Sequence, residues 1–190
     1  MNRIRLAQTS DAAAILKIYE PFITDSAITF ETEIPSLSSF AQRIQTYLET
    51  WPWLVYEVDG MVAGYAYAAR HRERAAYQWC VESSVYVHHD FQKRGIAKTL
   101  YDVLFKILKH QGFINVYAGI TWPNEKSVAF HESYGFQKLG EYKNIGYKLG
   151  KWHTVGWWEL QLNDYTNNPS EPIKFPSINN SFLKDIFEAI

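Results

Sequence analysis

Val85-Tyr86-Val87-His88-His89-Asp90-Phe91-Gln92-Lys93-Arg94-Gly95-Ile96-Ala97-Lys98-Thr99-Leu100 changes periodicity halfway along. Its first three residues finish an alternating strand, a short polar turn follows, and an amphipathic helix opens around Gly95. Such a junction favours a bound phosphate. The first N–H groups of a helix have no partner within it, and the peptide dipoles leave partial positive charge at that end. Residues 92–97 add two cations, Lys93 and Arg94, and place Gly95 and Ala97 where a ligand must approach the main chain. A pyrophosphate suits this chemistry. Neither the dinucleotide pattern G-x-G-x-x-G nor the P-loop pattern G-x-x-x-x-G-K-[ST] is present here, so those two phosphate readings lose support.

With 190 residues the chain is most simply one domain with a substantial core, and 47% hydrophobic against 21% charged residues is a globular balance. A net charge of −1 gives no reason to expect nucleic acid. Lys93, Arg94 and Lys98 therefore read as a local anion site, and the partners are expected to be small molecules. The lone Cys80 excludes an internal disulfide, fits a reducing compartment and reads as a small buried hydrophobe. No apolar run approaches the length of a membrane span and no signal-peptide core follows Met1, which makes a cytoplasmic protein the expectation.

In chain order, Arg3 to Ala7 is an expected strand, and Ser10 or Asp11 can cap the helix that follows. Ile15, Ile18, Tyr19, Phe22 and Ile23 form its buried stripe. Pro21 and Pro35 are expected to limit helix continuation around a connection that contains Phe30 and Glu31. Leu37, Phe40, Ile44, Tyr47 and Leu48 mark a second helix. Residues 53–58 and 61–68 are strands joined by Asp59-Gly60, the dipeptide of a tight hairpin turn. A polar loop with Arg70, His71, Arg72, Glu73 and Arg74 leads into a long strand, residues 77–87. There Glu82 stands mid-strand between Val81 and Val85, out of place unless it is at the surface or functional. The helix from Gly95 stops at Gly112, and 116–120 is a strand. A short helix over 124–134 closes at Gly135. Residues 137–142 and 154–162 are the last strands, with a Gly-rich connection between them. From Asn163 the composition is that of a linker. Phe182, Leu183, Ile186, Phe187 and Ile190 suit one terminal amphipathic helix. The expected division is a domain over 1–162 and a polar segment with a short helix over 163–190.

This order of elements is a mixed α/β sheet with helices on it. Gln92-x-x-Gly95-x-Ala97 after Val85-x-Val87 resembles the acyl-CoA signature of the GNAT superfamily of N-acetyltransferases. Residues 77–87 (Tyr-Gln-Trp-Cys-Val-Glu-Ser-Ser-Val-Tyr-Val), Pro123-Asn124, residues 127–132 (Ser-Val-Ala-Phe-His-Glu), Gly146-Tyr147-Lys148 and residues 152–158 (Trp-His-Thr-Val-Gly-Trp-Trp) are similar to its phosphinothricin acetyltransferase branch. The resemblance runs from about Ile4 to Leu162 and leaves the tail unexplained. It implies the GNAT fold and acetyl transfer from acetyl-CoA to the amino group of a small amino acid or analogue: phosphinothricin, methionine sulfoximine or methionine sulfone. It also implies a homodimer with the late, tryptophan-rich strand near its interface. The other readings are a GNAT enzyme for a different amine and a non-catalytic acyl-CoA-binding module.

The chemistry needs a base, because an amine with a pKa of about 10 is almost wholly protonated at neutral pH. Glu82 is placed to take that proton, directly or through water; a surface carboxylate is its other reading. His131 keeps the spacing Asn124, Ser127, His131 at which most of the superfamily has a tyrosine, and an imidazole there can serve as acid or as base. By resemblance, the main chain of Val85, Tyr86 and Val87 pairs with the pantetheine arm, and Gln92, Lys93, Arg94, Gly95, Ile96, Ala97 and Lys98 surround the pyrophosphate. Asn124 and Ser127 flank the arm, and Phe30, Arg72, Arg74 and Tyr77 recognise the acceptor. His88, His89 and His110 show no metal-ligand spacing, and no metal is expected.

Overall fold

The computed structural model describes residues 2–189. Its strands are β1 (Asn2–Leu6), β2 (Trp53–Val58), β3 (Met61–Arg70), β4 (Cys80–Val87), β5 (Asn115–Trp122), β6 (Gln137–Lys148) and β7 (Lys151–Gln161). They form one sheet in the order β1-β2-β3-β4-β5-β7-β6. Every neighbouring pair is antiparallel except β4 with β5. The helices are α1 (Ala12–Thr24), α2 (Leu37–Leu48), α3 (Ile96–Gln111), α4 (Glu125–Tyr134) and α5 (Asn180–Glu188). The mixed α/β sheet expected from the sequence is the architecture observed. Among the described residues no helix is long and apolar enough to cross a membrane.

Alternation along the strands builds a core on each face of the sheet. Leu54, Ala66, Ala68, Val81, Val116 and Trp158 pack with the α3 residues Leu100, Leu104 and Leu108 on one face. Trp53, Val55 and Tyr65 pack with Ile15, Ile18 and Ile23 of α1 and Phe40 and Ile44 of α2 on the other. The β2–β3 hairpin turns on Asp59 and Gly60, both at positive φ (50° and 82°), as the dipeptide led one to expect. Arg5 of β1 forks onto Asp11 (2.6 and 2.7 Å) and also reaches Glu57 Oε1 (2.8 Å from Nε), tying the start of the chain to β2.

Three expectations need correction. The helix α1 runs through Pro21 to Thr24, with Ile23 only 2% exposed, so burial of its stripe outweighs the one lost backbone donor. The strand expected from residue 77 begins at Cys80: Ala75–Tyr77 is a 3-10 turn, and the Trp79 carbonyl already accepts from the Ile114 N–H at 2.9 Å. The glycine-rich stretch around 146 is not a connection but part of β6, whose pairing with β7 shifts register between Lys138 and Gly140 and between Tyr142 and Gly146. Of the late tryptophans, Trp158 is fully buried and Trp157 partly so; Trp152 alone of the three is exposed.

The tail is docked. Phe175, Ile178, Leu183 and Ile186 are buried against the α3 core, and Phe182 stacks on His110 with centroids 3.8 Å apart. Gln111 holds it in place: its side-chain Nε2 donates to the carbonyls of Thr50 (2.9 Å) and Ile173 (2.7 Å), and its main-chain carbonyl accepts from the Ile173 N–H (2.7 Å). Ile190, expected in the terminal helix, lies outside the described residues.

Candidate active site

The parallel strands β4 and β5 share only three residue pairs, Cys80 with Asn115, Val81 with Val116 and Glu82 with Tyr117. Both strands continue beyond Glu82 but no longer pair, so the sheet forks. The opposite edge of β4 remains paired to β3 all the way to Val87, opposite Gly64. From residue 83 onward one edge of the β4 main chain therefore faces a gap, ready to bond an extended ligand as a neighbouring strand would. The gap is a cavity of about 720 Å³ lined by residues 83–87 on one side and by Ala118, Gly119 and Ile120 on the other.

The mouth of the gap meets the start of α3. Gly95 is the N-cap, with φ at 78°, a left-handed geometry that glycine adopts freely. Lys93 shares that region at 61°. Gln92, Lys93, Gly95, Ile96, Ala97 and Lys98 line the cavity. Arg94 is exposed, with its guanidinium 5.1 Å from the Phe91 ring centroid. Lys98 is shared with Asp102, whose oxygens lie 2.9 and 3.1 Å from Nζ. Asn124, Ser127 and His131 line the far wall. The Asn124 Oδ1 accepts from the Ser127 N–H at 3.2 Å as the cap of α4, which leaves its amide N–H₂ for a ligand. Apart from Arg94, the residues expected to hold an acyl-CoA are thus brought together around one gap, and a phosphate-bearing, extended ligand fits the donor set.

His131 is buried in this wall. Its Nδ1 is 2.7 Å from the Ser127 carbonyl, which can only accept, so Nδ1 carries the proton. Nε2 is then bare and accepts from the Tyr101 hydroxyl at 3.2 Å; Tyr101 in turn accepts from Ser83 Oγ at 3.2 Å. Burial lowers the His131 pKa, only partly offset by the Ser127 carbonyl, and so favours the neutral ring. Tyr101, which lines the cavity, went unnoticed in the sequence because it sits among the apolar residues of α3.

Glu82 stands at the apex of the fork, the last residue of β4 to pair with β5. Its Oε1 lies 2.8 Å from His71 Nδ1. Desolvation raises its pKa, while the hydrogen bond from His71 and the nearby Arg72 pull the other way. A smaller cavity of about 260 Å³ opens beside it, lined by His71, Arg72, Tyr117, Tyr142 and Trp157 among others. Arg72 Nη2 donates to the Tyr142 hydroxyl at 3.1 Å, and the guanidinium carbon lies 6.0 Å from the Tyr77 ring centroid. Arg74 stands at the N-cap position of the 3-10 turn without a side-chain capping bond and does not line either cavity. Phe30 sits apart, against Gly146 and His153. Its loop is fixed by Lys148, whose Nζ donates to the Thr29 carbonyl at 2.8 Å. Of the acceptor residues expected, the structure gathers Arg72 and Tyr77 near Glu82. It adds His71, which the sequence showed only as one residue of a polar loop. His88, His89 and Asp90 do converge, their ligand atoms within 4.8 Å of one another, in the turn after β4.

Comparison with known proteins agrees with this geometry. The family described as the acetyltransferase (GNAT) domain matches residues 4–157. Phosphinothricin N-acetyltransferase of Streptomyces viridochromogenes is 42% identical over 156 residues, covering 82% of this chain and 85% of that protein. The L-methionine sulfoximine/L-methionine sulfone acetyltransferase of Salmonella typhimurium is 31% identical, covering 85% and 95%. Among solved structures, a GNAT superfamily phosphinothricin acetyltransferase from Sinorhizobium meliloti in complex with AcCoA superposes with a TM-score of 0.85 at 31% identity, over 90% of this chain and 95% of that one.

Proposed function

The chain belongs to the GNAT acetyltransferase family and is an N-acetyltransferase, and from that premise we propose that it transfers the acetyl group of acetyl-CoA directly to the amino group of a small amino acid or analogue, with Glu82 as general base. The acceptors proposed are phosphinothricin, methionine sulfoximine and methionine sulfone, the compounds named for its relatives. The observation that carries this reading is the forked sheet: a gap for an extended arm, ending at a helix N-terminus, with one carboxylate at its apex.

The unpaired edge of β4 receives the pantetheine arm, and its N–H groups stabilise charge on the thioester oxygen as the tetrahedral centre forms. Residues 92–97 and the first turn of α3 receive the pyrophosphate. Glu82 takes one ammonium proton of the acceptor, and its raised pKa brings it closer to that of the amine; as the N–C bond forms and the C–S bond breaks, the second proton lost from the nitrogen passes to the departing CoA sulfur, which leaves as the thiol. His131, neutral and with Nε2 bare, is set in its resting state to receive a proton through Tyr101 rather than to give one. Arg72 holds the acceptor's carboxylate. The reaction as proposed draws on no metal and takes place in the cytoplasm. The active enzyme is proposed to be a homodimer: β6 is a sheet edge, and Leu139, Ile145, Tyr147, Leu149 and Trp152 of the β6–β7 hairpin are all more than half exposed. Residues 1–162 are assigned to the catalytic domain and 163–190 to an added segment that braces it.

The test is thiol release from acetyl-CoA across a panel of amino acids and these three analogues. Glu82→Gln should retain acetyl-CoA binding by calorimetry and lose about 10²–10⁴-fold in kcat, the range for a general base. Parental turnover in Glu82→Gln would return Glu82 to a surface carboxylate; no heat on adding acetyl-CoA would refute the reading of the gap.

A further inference from the structure

Glu82 does not stand alone at the apex of the fork. With its Oε1 2.8 Å from His71 Nδ1, a proton must lie between the two atoms, since both otherwise present lone pairs. An ionised Glu82 therefore accepts from Nδ1–H. The His71 ring is fixed by its neighbours: it stacks on Tyr117 with centroids 4.4 Å apart and meets the edge of Trp157 at 5.6 Å. Only 13% of its side chain is exposed. Nothing in that packing calls for a histidine, because a phenyl ring would stack on Tyr117 equally well. Only a donor at the Nδ1 position can hold the carboxylate.

We propose that His71 is a positioning residue for the transfer: its Nδ1–H fixes Oε1 of Glu82 and leaves Oε2 turned to the acceptor's ammonium. The inference rests on Glu82 being the base. As the acceptor's N–H bond breaks, the Oε2–H bond forms and Glu82 becomes neutral; the Nδ1–H bond is unchanged through the step. The same hydrogen bond favours the ionised carboxylate in a site whose burial opposes it, so its loss makes Glu82 harder to ionise. The other charged or titratable groups around the pair are Arg72 and Tyr77 from the loop, Tyr117 on β5 and Glu141 and Tyr142 on β6, with Cys80 on β4, Glu159 on β7 and Tyr165 of the tail reaching it only by way of Tyr117. All of them stay in place when position 71 alone is changed, so a difference between variants reports on the His71–Glu82 contact.

The experiment compares kcat/KM against pH for the full-length parent, His71→Phe, His71→Asn and Glu82→Gln, with melting temperature and acetyl-CoA affinity as checks on folding. His71→Phe keeps the stacking and loses the donor. It should bind acetyl-CoA as the parent does and lose about tenfold or more in kcat/KM at pH 7, a part of the general-base range. Its acidic limb should move to higher pH, so that the deficit narrows as the pH rises. His71→Asn, whose amide N–H stands in for Nδ1–H, should recover most of the activity and the parental limb. If the phenyl variant does not fold, His71→Leu takes its place with the same expectations. A profile that overlies the parent's, or a loss of the same size at every pH, overturns the inference. If Glu82→Gln is crippled while His71→Phe is parental, the inference alone falls; if Glu82→Gln turns over at the parental rate, the base assignment falls and takes this inference with it.

Discussion

Gly156 in β7 tests how packing reaches the active site. A Cβ built there would lie 2.5 and 2.7 Å from two carbons of the Trp158 indole, on the same face of the strand. Unstrained carbon contacts start near 3.5 Å, so the overlap is about 1 Å. The indole has nowhere to go: it is fully buried, its Nε1 donates to Glu132 at 3.0 Å, and it faces Trp122. Overpacking a rigid core site costs about 1–3 kcal/mol. In the other direction, replacing glycine by alanine restricts the unfolded chain and contributes about 0.4–1 kcal/mol. At the centre of the two ranges the steric effect wins, about 2 against 0.7 kcal/mol, leaving a net loss of about 1.3 kcal/mol, which for a chain of this size lowers the melting temperature by roughly 3–5 °C. Since Trp158 holds Glu132, the neighbour of His131 on α4, the KM for acetyl-CoA should rise as well. The decisive measurement is calorimetry on the double mutant. Trp158→Phe removes the colliding atoms, so Gly156→Ala in that background should be neutral or stabilising, a coupling of about 1 kcal/mol or more. An unchanged melting temperature in Gly156→Ala, or equal losses in both backgrounds, refutes the reasoning.

Arg72→Ala should raise the KM for an amino acid by about 10–100-fold, the worth of one charge-assisted hydrogen bond, and barely affect its carboxamide. A larger effect from Arg74→Ala would transfer the carboxylate to the arginine outside the cavity. Acid should unfold the protein partly through β1. Arg3 and Arg5 hold Glu57, and Arg5 holds Asp11 against the upward push of burial, so both carboxyls titrate below their ordinary values. Their stabilisation is complete above the unfolded carboxylate range, about pH 4, and is lost as the pH falls through the lower folded values. Melting curves from pH 6 to 2 should therefore be less steep in pH for Asp11→Asn than for the parent, and equal slopes would count against the network. Ile145→Asp, on the exposed β6 edge, should convert a dimer to a monomer in light scattering at micromolar concentration. A monomeric parent with full activity would remove the dimer.

Local signals were legible and long-range ones were not. The strand, turn and helix around Gly95 and the Asp59-Gly60 hairpin depend on residues within a few positions of one another, and the structure has both. The fork between β4 and β5 could not be read, because it joins strands separated by the whole of α3 and depends on where pairing ends. The His71–Glu82 contact joins a loop to a strand across the 3-10 turn between them, and no local spacing marks it. Glycines in β6 looked like turn residues because a register shift within a strand uses the same residue type as a loop. The tail has the composition of a linker, yet its few apolar residues and Gln111 are enough to dock it.

The short seam between β4 and β5 also divides the sheet mechanically. Four strands lie on one side of it and three on the other, and three residue pairs join them. A wedge that opens and closes about its apex moves its mouth most and its apex least. Widening the gap to admit a long cosubstrate would displace the main chain near Val87 while leaving Glu82, opposite Tyr117, almost where it was. His71 strengthens the effect: it bonds to the first half through Glu82 and stacks on the second through Tyr117. The carboxylate proposed to take the proton thus sits on the pivot, where breathing of the sheet disturbs it least.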